Sequence, residues 1–240
     1  MAVLGGGEVE PPEVVQICFN SVDKYAQDYQ IIRLNDENVR DYIDLPEFVF
    51  EKRKNPEFKY AFFTDLLRLA LLDVYGGIWM DATILLTAPL PEKITELDFF
   101  MFQRDQHSPN KHLWGNFDGY FNWNKKHRIN CLNSFIVGKK NNPIIHICLN
   151  MLLHFWKTQN HIPHYFFFQI MFDVLCKEYD YKIDLLLDDT LPHLLHKVIK
   201  RKFNLQDYQH ILNQTSIHKL TYTKKHNPNS YFAHLKRAFL

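Results

Sequence analysis

Apolar positions switch between a spacing of three to four and a spacing of two, which divides the chain into helical and extended pieces. Val14, Ile17, Cys18, Val22 and Tyr25 recur at helical spacing behind Pro12, predicting an amphipathic helix that opens there. Residues 30–34 read as a short strand, and Asn35 and Asp36 as caps for a helix through Val39, Tyr42 and Ile43. Residues 47–55 are charged and read as exposed. Residues 58–75 predict a long helix with apolar residues on almost every face, which implies burial, and Gly76 and Gly77 stop it.

Short apolar runs of strand type follow at 78–80 and 84–86, the second ended by Pro89 and Pro91, and another at 99–102. Residues 104–128 are polar and aromatic and read as a long loop, a length that in compact domains goes with function. A strand at 133–137, helices at 143–156 and 165–179, a short piece at 185–187, a helix near 194–199 and a last segment at 217–222 complete the series. Strands alternating with helices argue for an α/β sheet with helices on its faces. No repeat or linker divides the chain. We read 1–11 as a poorly ordered Gly- and Glu-rich segment and 12–240 as a single domain.

Composition narrows the class. Of 240 residues, 46% are hydrophobic and 23% charged, enough to build a core and too apolar for disorder. Lys and Arg number 28 against 27 acids, so the basic excess expected of a nucleic-acid binder is missing. Cys18, Cys131, Cys148 and Cys176 are scattered without a CxxC pair, and read as reduced thiols in a cytosolic protein. The apolar stretch 144–156 is broken by His146, Asn150 and His154, so no membrane span is expected, and the N-terminus lacks the pattern of a signal peptide.

Candidate chemistry centres on Asp65 and Arg68, three apart on one face of an otherwise apolar helix. Charges there are either a structural ion pair or face a site, and spacing alone leaves both open. Asp81 follows an apolar strand, and ligands of open α/β sheets bind outside the carboxyl ends of strands. With Thr83 it offers oxygens suited to Mg²⁺ or Mn²⁺, or it is simply a turn residue.

Other groups have bland alternatives. Asp188-Asp189-Thr190 is a second acidic motif, but it precedes Leu191-Pro192 and reads as a helix cap. His161/His164 and His193/His196 have H-x-x-H spacing without the further ligands of a zinc site. Trp114, Phe117, Tyr120, Phe121 and Trp123 either offer flat apolar faces to a ligand or pack the loop that holds them. Phe166-Phe167-Phe168 reads as core, and the tail 231–240 as a docked helix or one lying on an anionic bilayer.

Asp65-Leu-Leu-Arg68, Tyr75-Gly-Gly-Ile-Trp79 and Asp81-Ala-Thr83 together resemble the capsular polysaccharide synthesis family, which is similar to sugar transferases carrying a DxD motif after a Gly-Gly turn. Asn133-Ser-Phe-Ile-Val137 with Asn142-Pro143, Tyr165-Phe166, and Ser216-Ile-His218-Lys219-Leu-Thr-Tyr222 fit the same family. The resemblance implies a GT-A type fold with a mixed, mostly parallel central sheet flanked by helices. It also implies transfer of a sugar from a nucleoside-diphosphate donor to a polysaccharide or lipid-linked glycan acceptor. Carried over, Asp65 and Arg68 contact the donor, and Asp81 is the first acid of the DxD, binding metal or donor. Thr83 stands where many relatives have the second Asp. His218 meets metal and diphosphate, and Lys219 neutralises phosphate. Trp123 is an acceptor-binding candidate.

The implied cofactor is Mn²⁺ or Mg²⁺, and the implied setting a bacterial cytoplasm, at the inner membrane face or beside capsule assembly proteins. Breaking the donor bond leaves growing negative charge on the diphosphate, which a divalent ion and cationic side chains stabilise. No base stands out for an inverting reaction beyond Asp118 in the aromatic loop; the related families are mostly retaining. Relatives begin with a strand and a Trp-rich turn, whereas residues 1–7 here are short and Gly-rich, so the first strand is expected to be missing or abbreviated. A degenerate, non-catalytic member that binds nucleotide or glycan is the alternative, and a nucleotide-sugar hydrolase a further one.

Overall fold

The computed structural model describes residues 2–3, 10–115, 119–181, 184–222 and 226–240. Phe117, Asp118 and most of residues 1–11 lie outside them. Ala2–Val3 (β1) pairs in parallel with Arg33–Leu34 (β2), so a two-residue strand stands at the front of the chain. Between them Glu13–Tyr25 (α1) starts behind Pro12, as its apolar spacing requires. Val39–Tyr42 (α2) and Glu47–Lys52 (α3) lead to Tyr60–Tyr75 (α4). The expectation of an exposed 47–55 segment is corrected at Val49, which is fully buried because α3 lays that side chain into the core beside α6.

Gly76 ends α4 at φ 68°, and a Cβ there would lie 2.6 Å from the Lys140 nitrogen, so only glycine suits the turn. The chain then runs through Gly77–Met80 (β3), Ile84–Leu86 (β4), Glu92–Thr95 (α5), Phe99–Gln103 (β5) and, after the loop, Cys131–Gly138 (β6). Pro143–Thr158 (α6) is capped by Asn142, whose side chain accepts from the Ile144 and Ile145 amides. Phe167–Glu178 (α7), Leu194–Val198 (α8), Leu205–Leu212 (α9), Ile217–Lys219 (β7) and Tyr231–Phe239 (α10) follow. α9 is an element that the sequence pattern did not announce.

The fold is mixed α/β, but the expected mostly parallel sheet is not what forms. β6 sits between β3 and β5 and is antiparallel to both, and β4 and β7 form a separate antiparallel pair. The physical reason is connectivity. β5 reaches β6 through a loop without the long crossover helix that a parallel neighbour requires. Residues 185–187 form no named strand; Gln103 and Asp188 make a single bridge there.

The three-stranded sheet is buried on both sides, which explains its unbroken apolar runs. Trp79, Ile136 and Met101 meet across the strands and face the cluster built by α4, α6 and α7. Met80, Phe135, Val137 and Phe100 alternate onto the other face, packed with Ile84, Leu86 and Ile217. α10 docks against α1, burying Tyr231, Phe232 and Leu235, so its apolar face is used inside the protein. No described helix is long and apolar enough to cross a membrane.

Candidate active site

A cavity of 490 Å³ opens where α4 passes the carboxyl end of β3. Asp65, Arg68, Asp81, Thr83 and Lys219 all line it, so five predicted residues from α4, the β3–β4 turn and β7 converge. Asp65 and Arg68 share a helix face, and both are buried (8% and 4% exposed) because that face turns toward the sheet rather than the solvent. Asp81 continues the pairing of β3 with β6 through its amide, which donates to the Ser134 carbonyl at 2.8 Å. Its side chain remains 26% exposed, open to the cavity.

Arg68 is the hinge of the site. One terminal nitrogen lies 3.5 Å from both Asp65 Oδ1 and Asp81 Oδ1. The other donates to the Asn133 carbonyl, and Nε donates to the Thr64 carbonyl at 3.1 Å. Asn133 closes the network: its amide donates to Asp65 Oδ1 at 2.8 Å, while Gln169 donates to its Oδ1 at 3.0 Å. Trp79 Nε1 donates to Asp81 Oδ1 at 2.8 Å, and Arg68 lies over the Trp79 ring. Burial pushes the Asp65 carboxyl up to about 7; Arg68 pulls it down, and Asp81 adds to the rise.

β7 sorts two neighbouring candidates to opposite sides, as strand alternation demands. Lys219 faces the cavity, and its Nζ donates to Thr83 Oγ1 at 2.6 Å and to the Leu220 carbonyl at 2.9 Å. Burial holds its ammonium below the usual lysine range, and Asp81 opposes that shift. His218 pairs across from Leu85 and points the other way. It is completely buried, with Nε2 3.0 Å from Thr87 Oγ1, and burial pushes it down to about 3, so it is neutral. The structure therefore does not bring His218 to the site.

Trp123 does not line the cavity either. Its ring stacks on Phe121, and its Nε1 donates to the Asp105 carbonyl at 2.9 Å. Trp114 also stacks on Phe121, with centroids 4.0 Å apart, so these three aromatics pack their own loop. Among the described loop aromatics Tyr120 reaches the cavity, joined there by Tyr60, Tyr165, Phe166 and His193. Of the Phe triplet, Phe166 lines the cavity and Phe168 is core. His193 Nδ1 donates to the Asp189 carbonyl at 2.8 Å, and burial pushes the ring down to about 3. Asn133, Gln169 and His193 were not named as site residues: Asn133 stands in a family-like stretch and His193 in an H-x-x-H pair without further ligands, while Gln169 carries no local signal. Only pairing with β6 or packing of α7 and the 191–193 turn carries them in.

The rival acidic motif is structural. Asp189 is fully buried against Arg104, and Asp188 accepts from the Ser108 and Thr190 hydroxyls and from the Thr190 amide. The four cysteines are free thiols, and none lines the cavity.

The expected Mn²⁺ or Mg²⁺ set of Asp81, Thr83 and His218 does not assemble. His218 faces away, the Thr83 hydroxyl is taken by an ammonium, and Arg68 already bridges the two carboxylates. Among the described residues, no three His, Cys, Asp or Glu side chains gather to hold an ion. The residues present do not fit the metal.

The family described as capsular polysaccharide synthesis protein matches residues 5–235, nearly the whole chain. This chain belongs to that family. No curated protein matches it. Among solved structures, it is similar to a chain described as PaToxG Glycosyltransferase, at 15% identity, over 75% of this chain and 70% of that one. The TM-score of 0.42 is too low for that likeness to carry an argument.

Proposed function

We propose that this protein is a glycosyltransferase that moves a sugar from a nucleoside-diphosphate donor to a glycan acceptor during surface-polysaccharide assembly. Family membership supports the class of reaction. The observation that carries the reading is the convergence of Asp65, Arg68 and Asp81 on one cavity at a strand's carboxyl end.

The arrangement suits a polyhydroxylated, anionic ligand. Asp81 is an acceptor for ribose or sugar hydroxyls, held in place by Trp79. Arg68 brings positive charge to the same spot, where a departing diphosphate gains negative charge. Tyr60, Tyr120, Tyr165 and Phe166 line the cavity and offer flat apolar faces against which sugar rings pack. Holding donor and acceptor together in such a pocket supplies much of the remaining rate.

Thermal unfolding with a panel of nucleotide-sugars tests the reading, because a ligand that binds only the folded chain raises its stability. At least one donor should raise the melting temperature, and that donor should transfer its sugar to an oligosaccharide acceptor. Stabilisation without turnover would favour a non-catalytic binder, a reading that Thr83 in place of a second acid keeps in play. A panel in which no nucleotide-sugar binds would end the donor reading.

A further inference from the structure

Two cations line the cavity, Arg68 from α4 and Lys219 from β7, and they differ in what they have left to give. The donors of Arg68 are engaged by two carbonyls and by Asp65 and Asp81. An ammonium has three N–H donors. Lys219 directs two of them to neutral oxygens, Thr83 Oγ1 and the Leu220 carbonyl, which fix Nζ without neutralising it. Among the described residues the third has no partner, while the side chain lines the cavity.

The position of this ammonium is informative. Thr83 stands two residues beyond Asp81, where a paired-acid motif would place a second carboxylate. The Thr83 hydroxyl accepts a hydrogen bond from lysine there. A divalent ion on Thr83 Oγ1 would have to displace Nζ or sit against it, and like charges at contact repel. A compact, fixed ammonium is a point charge well suited to phosphate oxygens.

We propose that Lys219 neutralises the donor's diphosphate directly, in a cavity that Arg68 also lines, so that this protein binds its donor without a divalent cation. The inference rests on the donor reading above and specifies how that site holds its leaving group. During transfer the bond from the anomeric carbon to the terminal phosphate oxygen breaks, and its electron pair stays on that oxygen. The acceptor hydroxyl oxygen bonds the same carbon, and its proton ends on the released diphosphate. Lys219 remains charged throughout, donating to the oxygen that gains the electron pair.

The test is calorimetric binding of UDP, GDP, ADP, CDP and dTDP to the full chain, once with EDTA and once with Mg²⁺ or Mn²⁺. At least one should bind in EDTA, with its dissociation constant changed less than about threefold by either metal. Lys219→Met should weaken that ligand about tenfold or more, the scale of a lost hydrogen bond to a charged group. Lys219→Arg should restore part of the loss, and the parent nucleoside should bind both variants as it binds the native chain. Melting temperatures of both variants confirm that they fold; if Lys219→Met does not, the EDTA comparison and Lys219→Arg decide. Binding that appears only with metal, or that ignores Lys219→Met, overturns the proposal and leaves the donor reading standing. Failure of every diphosphate under both conditions removes the donor reading and this inference with it.

Discussion

Two buried charge clusters in this molecule contain an arginine and acidic partners, yet they are built differently. Around Arg104 the pairing is closed. Nε and a terminal nitrogen meet the two Asp189 oxygens at 2.7 and 2.8 Å, and both side chains are completely buried. The remaining donors reach the Asn122 and Tyr120 carbonyls, and the Tyr120 hydroxyl adds a bond to Asp189. Around Arg68 the pairing is loose. Two carboxylates share one nitrogen at 3.5 Å, and Asp81 stays open to the cavity. A saturated bidentate pair leaves nothing to offer a ligand. A shared, half-satisfied one leaves acceptor oxygens available, at the expense of local stability. The difference separates an internal strut from a site.

The strongest way to break the comparison is Asp189→Ala, which strands a buried guanidinium. It should cost about 3–5 kcal/mol in urea unfolding. A loss under about 1 kcal/mol would mean that Arg104 relaxes to water and is no strut. Next comes Asp81→Asn, nearly isosteric and able to keep the Trp79 hydrogen bond. Turnover should fall about 100-fold or more while the melting point holds, the scale of a lost contact that positions the reacting donor. Near-normal turnover would make Asp81 a turn residue.

Opposite pH slopes sharpen the contrast most gently. His193, bonded to the backbone of Asp189, is pushed from 6.5 down to about 3, so between those values the unfolded chain binds a proton that the native one does not. Its contribution to stability is complete above pH 6.5 and falls as pH drops toward 3. Asp65 runs the other way: raised from 3.8 to about 7, it holds a proton in the native state, so stability falls as pH rises through that window. Unfolding free energies across pH 4 to 8 should show His193→Gln flattening the acid limb and Asp65→Asn the opposite one. Parallel changes in the two variants would show that the clusters do not titrate separately.

Local pattern carried much of the fold. α1, α4, β3, β4, β6 and α6 fall where apolar spacing and the Gly and Pro stops place them, because each is decided within a few turns of chain. α9 escaped notice because Ile211 is its one buried position, too little for a periodic signal. Residues 47–55 looked like surface because their charges outnumber the side chains that α3 turns inward. The mostly parallel sheet was what the resemblance implied, and element order alone says nothing of strand direction when a loop can return the chain.

The site was legible in part for the same reason. Asp65, Arg68 and Asp81 stand out as charges where a core or a strand end surrounds them, and the cavity joins them. His218 and Lys219 are adjacent, and only the pairing of β7 with β4 decides which of them faces inward. The amino-acid sequence by itself determined the family, the principal helices and strands, and three charges that burial forces to find partners or ligands. The tertiary structure decided strand direction, the fate of Asp189, the turning away of His218 and the seat of Lys219 on Thr83. Each of those depends on contacts between residues far apart in the chain, and no local spacing encodes them.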